Sequence, residues 1–290
     1  MSAPAPAAAA PSPAAPGLAR DDLGTWRHLL RATPTLMRVA TAGMVAYRAE
    51  LLIWFLTASL PVVMMLVWDR VVEEAPIGRF DQGSMAFYFL AVLVVRQLGG
   101  SWVIWELNHA IRTGALSPAL LRPINPLVVY GADSVAEKPM RVVLLVPLLL
   151  AVWAWRPEMT LPVGPGGLAL ALVSLGLGWL LNLLVQVAFG CLAFFFTQSL
   201  GLFGVWFGLW ALLSGYLFPL ELLPDGLRAV VHWLPFRATL GVPVEILTGG
   251  LRGADAWAGV GLQLAWVAVA WAVAAFAWRR GVRHHEAVGA

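Results

Sequence analysis

An apolar run at residues 167–196 constrains this chain more than any other feature. At about 1.5 Å of rise per residue it outlasts the roughly 30 Å of a bilayer's hydrocarbon, so it reads as a helix that crosses a membrane and tilts or projects beyond it. The rest of the chain offers no water-soluble alternative. Of its 290 residues, 60% are hydrophobic and 12% charged, against about half and about a quarter in a soluble domain. Fifteen tryptophans suit a protein with two membrane–water interfaces, where amphipathic indoles prefer to sit.

Five further spans follow from the same criterion, at 51–68, 84–105, about 140–155, 201–217 and 257–278. The expected fold is therefore an all-α integral membrane protein of six transmembrane helices. Residues 1–21 are rich in Ala and Pro, lack a basic n-region and a Leu-rich core, and so predict a disordered tail rather than a signal peptide. Residues 22–48 interleave Trp26, Leu29, Leu30, Leu36 and Met37 with Arg27, Arg31 and Arg38, the pattern of a basic amphipathic helix lying in the headgroup region. The six-span domain occupies 49–281, and 282–290 reads as a cytoplasmic tail. Residues 69–83 read as an acidic loop, and His284, His285 and Glu286 as solvated rather than as a metal site.

Basic residues set the orientation. With the N-terminus inside, twelve of them fall on that side and six outside, Arg96 lying within a span; this predicts both termini in the cytoplasm. Arg outnumbers Lys, since Lys138 is the only lysine, and with the Ala, Gly and Pro abundance this points to a GC-rich bacterial genome and a bacterial cytoplasmic (inner) membrane. No basic run tracks a nucleic-acid backbone. Cys191 stands alone, which excludes an intrachain disulfide or a Cys-based metal site. Lys138 lies between Glu137 and Pro139, not before Ser or Thr in a Gly-rich phosphate loop, so the chain has no Walker A motif and no ATPase site of its own.

Two segments carry more specific information. In 105–126, Glu106 to Thr113 can make two helical turns, Gly114 ends them, and Ser117-Pro118 can start another. The product is a short amphipathic helix presenting Glu106, His109 and Arg112 to the cytoplasm. In 213–236, Pro219 stops the fifth span, a short helix can run from Pro224 to Trp233, and Pro235 ends it. A half-apolar piece of this kind suits a re-entrant segment covered by protein.

At these segments the chain resembles permease subunits of type-2 ABC transporters, in particular a bacterial paired-permease-like group whose cytoplasmic loop reads Ile-Arg-x-Gly-x-Leu-Ser and then Leu-Leu-Arg-Pro. Here those residues are Ile111, Arg112, Gly114, Leu116, Ser117, Leu120, Leu121, Arg122 and Pro123. Ser214-Gly215, Pro219, Glu221 and Pro224 resemble the family's small-residue-then-proline signature. The resemblance implies an elbow helix at the start, a coupling helix between Arg112 and Arg122, and re-entrant helices before the sixth span. It implies a second permease, identical or homologous, and a cytosolic ABC ATPase that binds ATP and Mg, contacted through Glu106, His109, Arg112 and Arg122. This chain itself would bind no cofactor and no metal.

Gly201, Gly204, Gly208, Ala211 and Gly215 fall three or four apart and form one small-residue stripe, suited to close helix packing within the bundle or to a subunit seam. Arg96 is too deep in its span for snorkelling to free it fully, so it should face a polar partner or a wet cavity. Asp133, Glu137, Lys138 and Arg141 read as a solvated helix end in which Glu137 and Arg141 can pair. A secondary transporter or channel would favour internal repeats and buried carboxylates; a membrane-embedded enzyme would need a motif such as HExxH or GxSxG. Neither pattern occurs. The cargo stays open, with amphipathic drugs, lipids or glycolipids suited to a greasy, Trp-rich chain that also contacts membrane lipid.

Overall fold

The computed structural model describes residues 60–156 and 159–285. The tail at 1–21, the interfacial helix at 22–48 and the start of the first span lie outside those residues, as does the end of the C-terminal tail. Apart from one bridge between Ile77 and Phe80, every regular element among the described residues is helical. In chain order the helices are α1 (Leu60–Glu74), α2 (Gln82–Gly99), α3 (Val103–Thr113), α4 (Leu116–Leu120), α5 (Pro126–Ala136) and α6 (Lys138–Trp155). They continue with α7 (Pro165–Cys191), α8 (Ser199–Leu213), α9 (Asp225–Trp233), α10 (Val242–Leu247) and α11 (Gly253–His284). Short 3-10 turns at Leu192–Phe194 and Leu220–Leu222, and a π-helical segment at Arg237–Gly241, link them.

Among the described residues, three helical stretches are long and apolar enough to cross a bilayer: Gln82–Thr113, Pro165–Phe194 and Gly253–His284. The last two are apolar nearly all round, leaving Leu172, Val173, Trp271, Val273 and Phe276 exposed. Only lipid or another apolar surface accommodates such faces. α8 is apolar but shorter than a span, about 22 Å long at 15 residues.

α7 is the central element, packed on α11, α10, α3 and α2. Two devices set its distance from the π segment. At Gly178 an added Cβ would come within 2.5 Å of the Thr239 carbonyl oxygen, so only glycine admits this backbone approach. Beside it the fully buried Gln263 of α11 accepts from Ser174 Oγ at 2.8 Å and donates Nε2 to the carbonyls of Ser174 (3.0 Å) and Ala238 (2.7 Å). One amide thus ties α7, α11 and the π segment with its polar atoms satisfied.

Several expected boundaries shift. The second span does not run unbroken from 84 to 105: α2 stops at Gly99, and α3 begins at Val103 and continues into the loop. α1 extends to Glu74, well into the expected acidic loop, and Asp69 within it pairs with Arg156. α11 runs to His284, which is exposed as expected, while His285 is half-buried. His284 stacks on Phe195 with ring centroids 5.6 Å apart, and His285 Nε2 lies 3.0 Å from Ser117 Oγ.

Candidate functional site

The break between α2 and α3 organises the middle of the molecule. A helix C-terminus leaves its last carbonyls without intrahelical donors and carries partial negative charge. Here side chains from two other helices supply the donors. Lys138 and Arg141 of α6 donate to the carbonyls of Gly100 and Gln97, the second at 3.1 Å. Asn182 and Gln186 of α7 donate to Gly99 O at 3.0 Å and Ser101 O at 2.9 Å. Glu137 pairs with Arg141, and both are largely buried. The pairing expected of these two occurs, but the cluster is not a solvated helix end: it caps a broken helix inside the protein.

A cavity of about 840 Å³ lies beside this break, lined by α2, α3, α6, α7 and α8. Its wall carries the Arg96 guanidinium, 5.3 Å from the Trp210 ring centroid and 5.9 Å from that of Phe207. Trp210 is itself fixed, stacking on Phe207 with centroids 5.4 Å apart and donating Nε1 to Thr239 Oγ1 at 2.7 Å. Tyr216 is the polar neighbour of the guanidinium. Among the described residues no carboxylate pairs with Arg96, and its Nε is buried without an acceptor. A cavity and aromatic faces surround this charge in place of a structural ion pair.

The loop from α3 to α5 follows the spacing of its residues closely. α3 buries Val103, Ile104, Leu107, Ala110 and Ile111 against α7 and exposes Glu106 and His109. Gly114 adopts the left-handed conformation, φ 76°, that ends the helix. α4 then drives Leu116, fully buried, into the same cluster. Asn125 caps α5 by accepting from Leu127 N at 2.9 Å. Of the four residues singled out for a motor contact, Glu106, His109 and Arg122 are exposed. Arg112 is also exposed but engaged within the chain: Nε donates to Asn108 Oδ1 at 3.1 Å and Nη2 to the Phe196 carbonyl at 3.0 Å and to that of Thr197. It ties α3 to the turn between α7 and α8.

The stripe on α8 divides. Gly201, Gly204 and Gly208 have open space where a Cβ would project, so among the described residues nothing packs against them there. Gly215 is different. It takes φ 89° just past the end of α8, and its carbonyl accepts from Tyr88 Oη at 2.7 Å.

Beyond it, Pro224 starts α9 as its spacing predicts, but Pro219 does not end the fifth span: α8 already stops at Leu213, where Ser214 and the left-handed Gly215 turn the chain, and Pro219 only precedes the 3-10 turn. Glu221 receives a two-pronged contact from Arg79, Nε at 2.6 Å and Nη2 at 2.7 Å, while Arg79 Nη1 donates to Thr248 O at 3.0 Å. This clamp holds the α1–α2 connection against the segment before α11. The π segment and α10 that follow are almost wholly buried around an ion pair of Arg237 and Glu245, with Nε 3.0 Å from Oε1. Sequence reading places Arg237 in an outer loop and passes over Glu245, Asn182 and Gln186. The available signal is the polar amides inside an otherwise apolar α7.

Long apolar helices around a central span, a broken helix beside a cavity and a packed loop at one end define an all-helical membrane domain. The chain belongs to the ABC-2 family transporter proteins, whose family model matches residues 63–289. No curated protein matches it. The protein is thus a permease component of an ABC transporter.

Proposed function

We propose that this chain is the permease subunit of an ATP-binding cassette exporter, driven by a separate cytosolic ATPase docked at residues 111–123. The observation that carries this reading is the build of that loop within a chain of this family. α3 continues from a membrane-crossing stretch, Leu116 of α4 is sunk in the core, Ser117 meets His285 at the end of α11, and Arg112 grips the α7–α8 turn. Displacement of the loop therefore bears on three separate elements at once. Arg122 and Leu121, the latter 88% exposed, are the loop residues offered to a partner. ATP and Mg belong to the motor, because the chain has no Walker A loop.

A second permease, identical or homologous, is proposed to seat on α8 at Gly201 and Gly208, whose open faces let another helix approach closely, beside Gly204 at the cavity wall. Both termini and the loop are assigned to the cytoplasm of a bacterial inner membrane on the distribution of basic residues. Co-expression with the cytosolic ABC ATPase tests the core of the proposal. The two should co-purify in detergent, and the permease alone should hydrolyse no ATP. A permease that never retains an ATPase, or that hydrolyses ATP unaided, contradicts it.

A further inference from the structure

We infer that the cavity beside the α2–α3 break binds an amphipathic anion, its charged head on Arg96 and its apolar body along the aromatic face of α8. The inference rests on the transport reading and names the class of molecule handled there. A cation set among apolar side chains needs an acceptor, because aromatic faces attract its charge but accept its N–H groups poorly. The other cations at the break are already engaged: Arg141 with Glu137 and the Gln97 carbonyl, Lys138 with the Gly100 carbonyl. Arg96 has the Tyr216 hydroxyl as its polar partner but no carboxylate among the described residues, and its Nε is unmet. Glu106, the other acid on the cavity wall, sits past the break on α3 and is exposed.

The remaining wall is apolar where the body of a ligand would lie, with Phe203, Trp206, Phe207 and Trp210 on one side and Met140 and Leu144 on the other. At about 840 Å³ the space lies within the roughly 300–1,000 Å³ of small-molecule sites, which fits a single-chain or compact ring-bearing amphiphile. An anion completes the Arg96 donor set with a short charge-assisted contact; a neutral or cationic molecule leaves it unmet.

The test uses the purified permease in nanodiscs of neutral phosphatidylcholine, with 9,10-dibromostearate as a probe that quenches tryptophan fluorescence. Its methyl ester and a brominated alkyl trimethylammonium serve as the neutral and cationic counterparts. Saturable quenching by the carboxylate alone is expected. Arg96→Gln should weaken it about tenfold or more, and Arg96→Lys, which keeps the charge, by about threefold. Met140→Trp fills the cavity from α6 without touching the charge and should also abolish saturable binding, which covers the case in which Arg96→Gln fails to fold. Competition from phosphatidylglycerol in the disc would identify a lipid headgroup as the source of the anion; its absence would identify the single-chain molecule. Equal quenching by all three probes, or unchanged carboxylate binding in Arg96→Gln and Met140→Trp, overturns the inference. ATPase retention by the same preparation separates the two claims. A permease that holds its ATPase but does not discriminate the probes sinks only the anion site, whereas selective anion binding without ATPase retention sinks the transport reading.

Discussion

Gly178 has room for a hydrogen and little else. Because the obstacle is the Thr239 carbonyl rather than a flexible side chain, Gly178→Ala should cost roughly 1–3 kcal/mol through overpacking, read as a lower thermal unfolding midpoint in detergent. Gly176→Ala, with open space at that position, is the control; equal midpoints for both would contradict the close approach. The Arg237–Glu245 pair makes a second residue-scale prediction. Side-chain exposures of 4% and 11% place both groups inside the protein, where removing one partner strands the other at a cost of about 3–5 kcal/mol. Glu245→Leu should therefore destabilise strongly, and adding Arg237→Met should recover most of the loss. Additive losses in that double-mutant cycle would show that the two charges do not depend on each other.

Among the elements, those whose ends are set by local chemistry were legible in advance. Gly114 ends α3, Pro224 starts α9 and the long apolar run became α7, because caps, prolines and hydropathy act within a few residues. The break at Gly99 and Gly100 was hidden, since hydropathy passes through it unchanged. What makes it tolerable is four donors from distant helices. The same limit applies to glycine stripes. Gly178 and Gly208 look alike as sequence, yet one meets backbone and the other open space, and only the tertiary partner decides which.

Gly208 therefore carries the element-scale prediction. Gly208→Leu should lower assembly of the permease pair several-fold while leaving the monomer's fold intact, because nothing among the described residues occupies the space it would fill. Leu209→Ala, on another face, should have a smaller effect. Cysteine crosslinking at Gly208→Cys reads out the assembly, and the native Cys191 is buried and should stay silent. Unchanged pairing in Gly208→Leu would remove this face as the seam.

For the whole molecule, two assignments connect the fold to work: which side the loop faces and what pushes on it. Thr113 is exposed at the end of α3. A cysteine there should resist membrane-impermeant reagents in intact cells and react in inverted vesicles; labelling in intact cells would reverse the topology. Burial of Ile111 and Leu116 and the contacts from Arg112 and Ser117 tie it to the bundle, and Arg122 is the cation proposed to meet acidic groups on a motor. The most direct test is the ATP hydrolysis rate of the reconstituted permease–ATPase complex, with and without substrate, for wild type, Arg122→Glu and Arg228→Glu. Arg228 pairs with Asp225 and donates to the Glu221 carbonyl at 3.2 Å, both within a segment assigned to the opposite side. The account predicts that Arg122→Glu loses most of the substrate-stimulated rate through weakened docking, while Arg228→Glu keeps it. Full stimulation and normal ATPase binding in Arg122→Glu would contradict the coupling role of this loop.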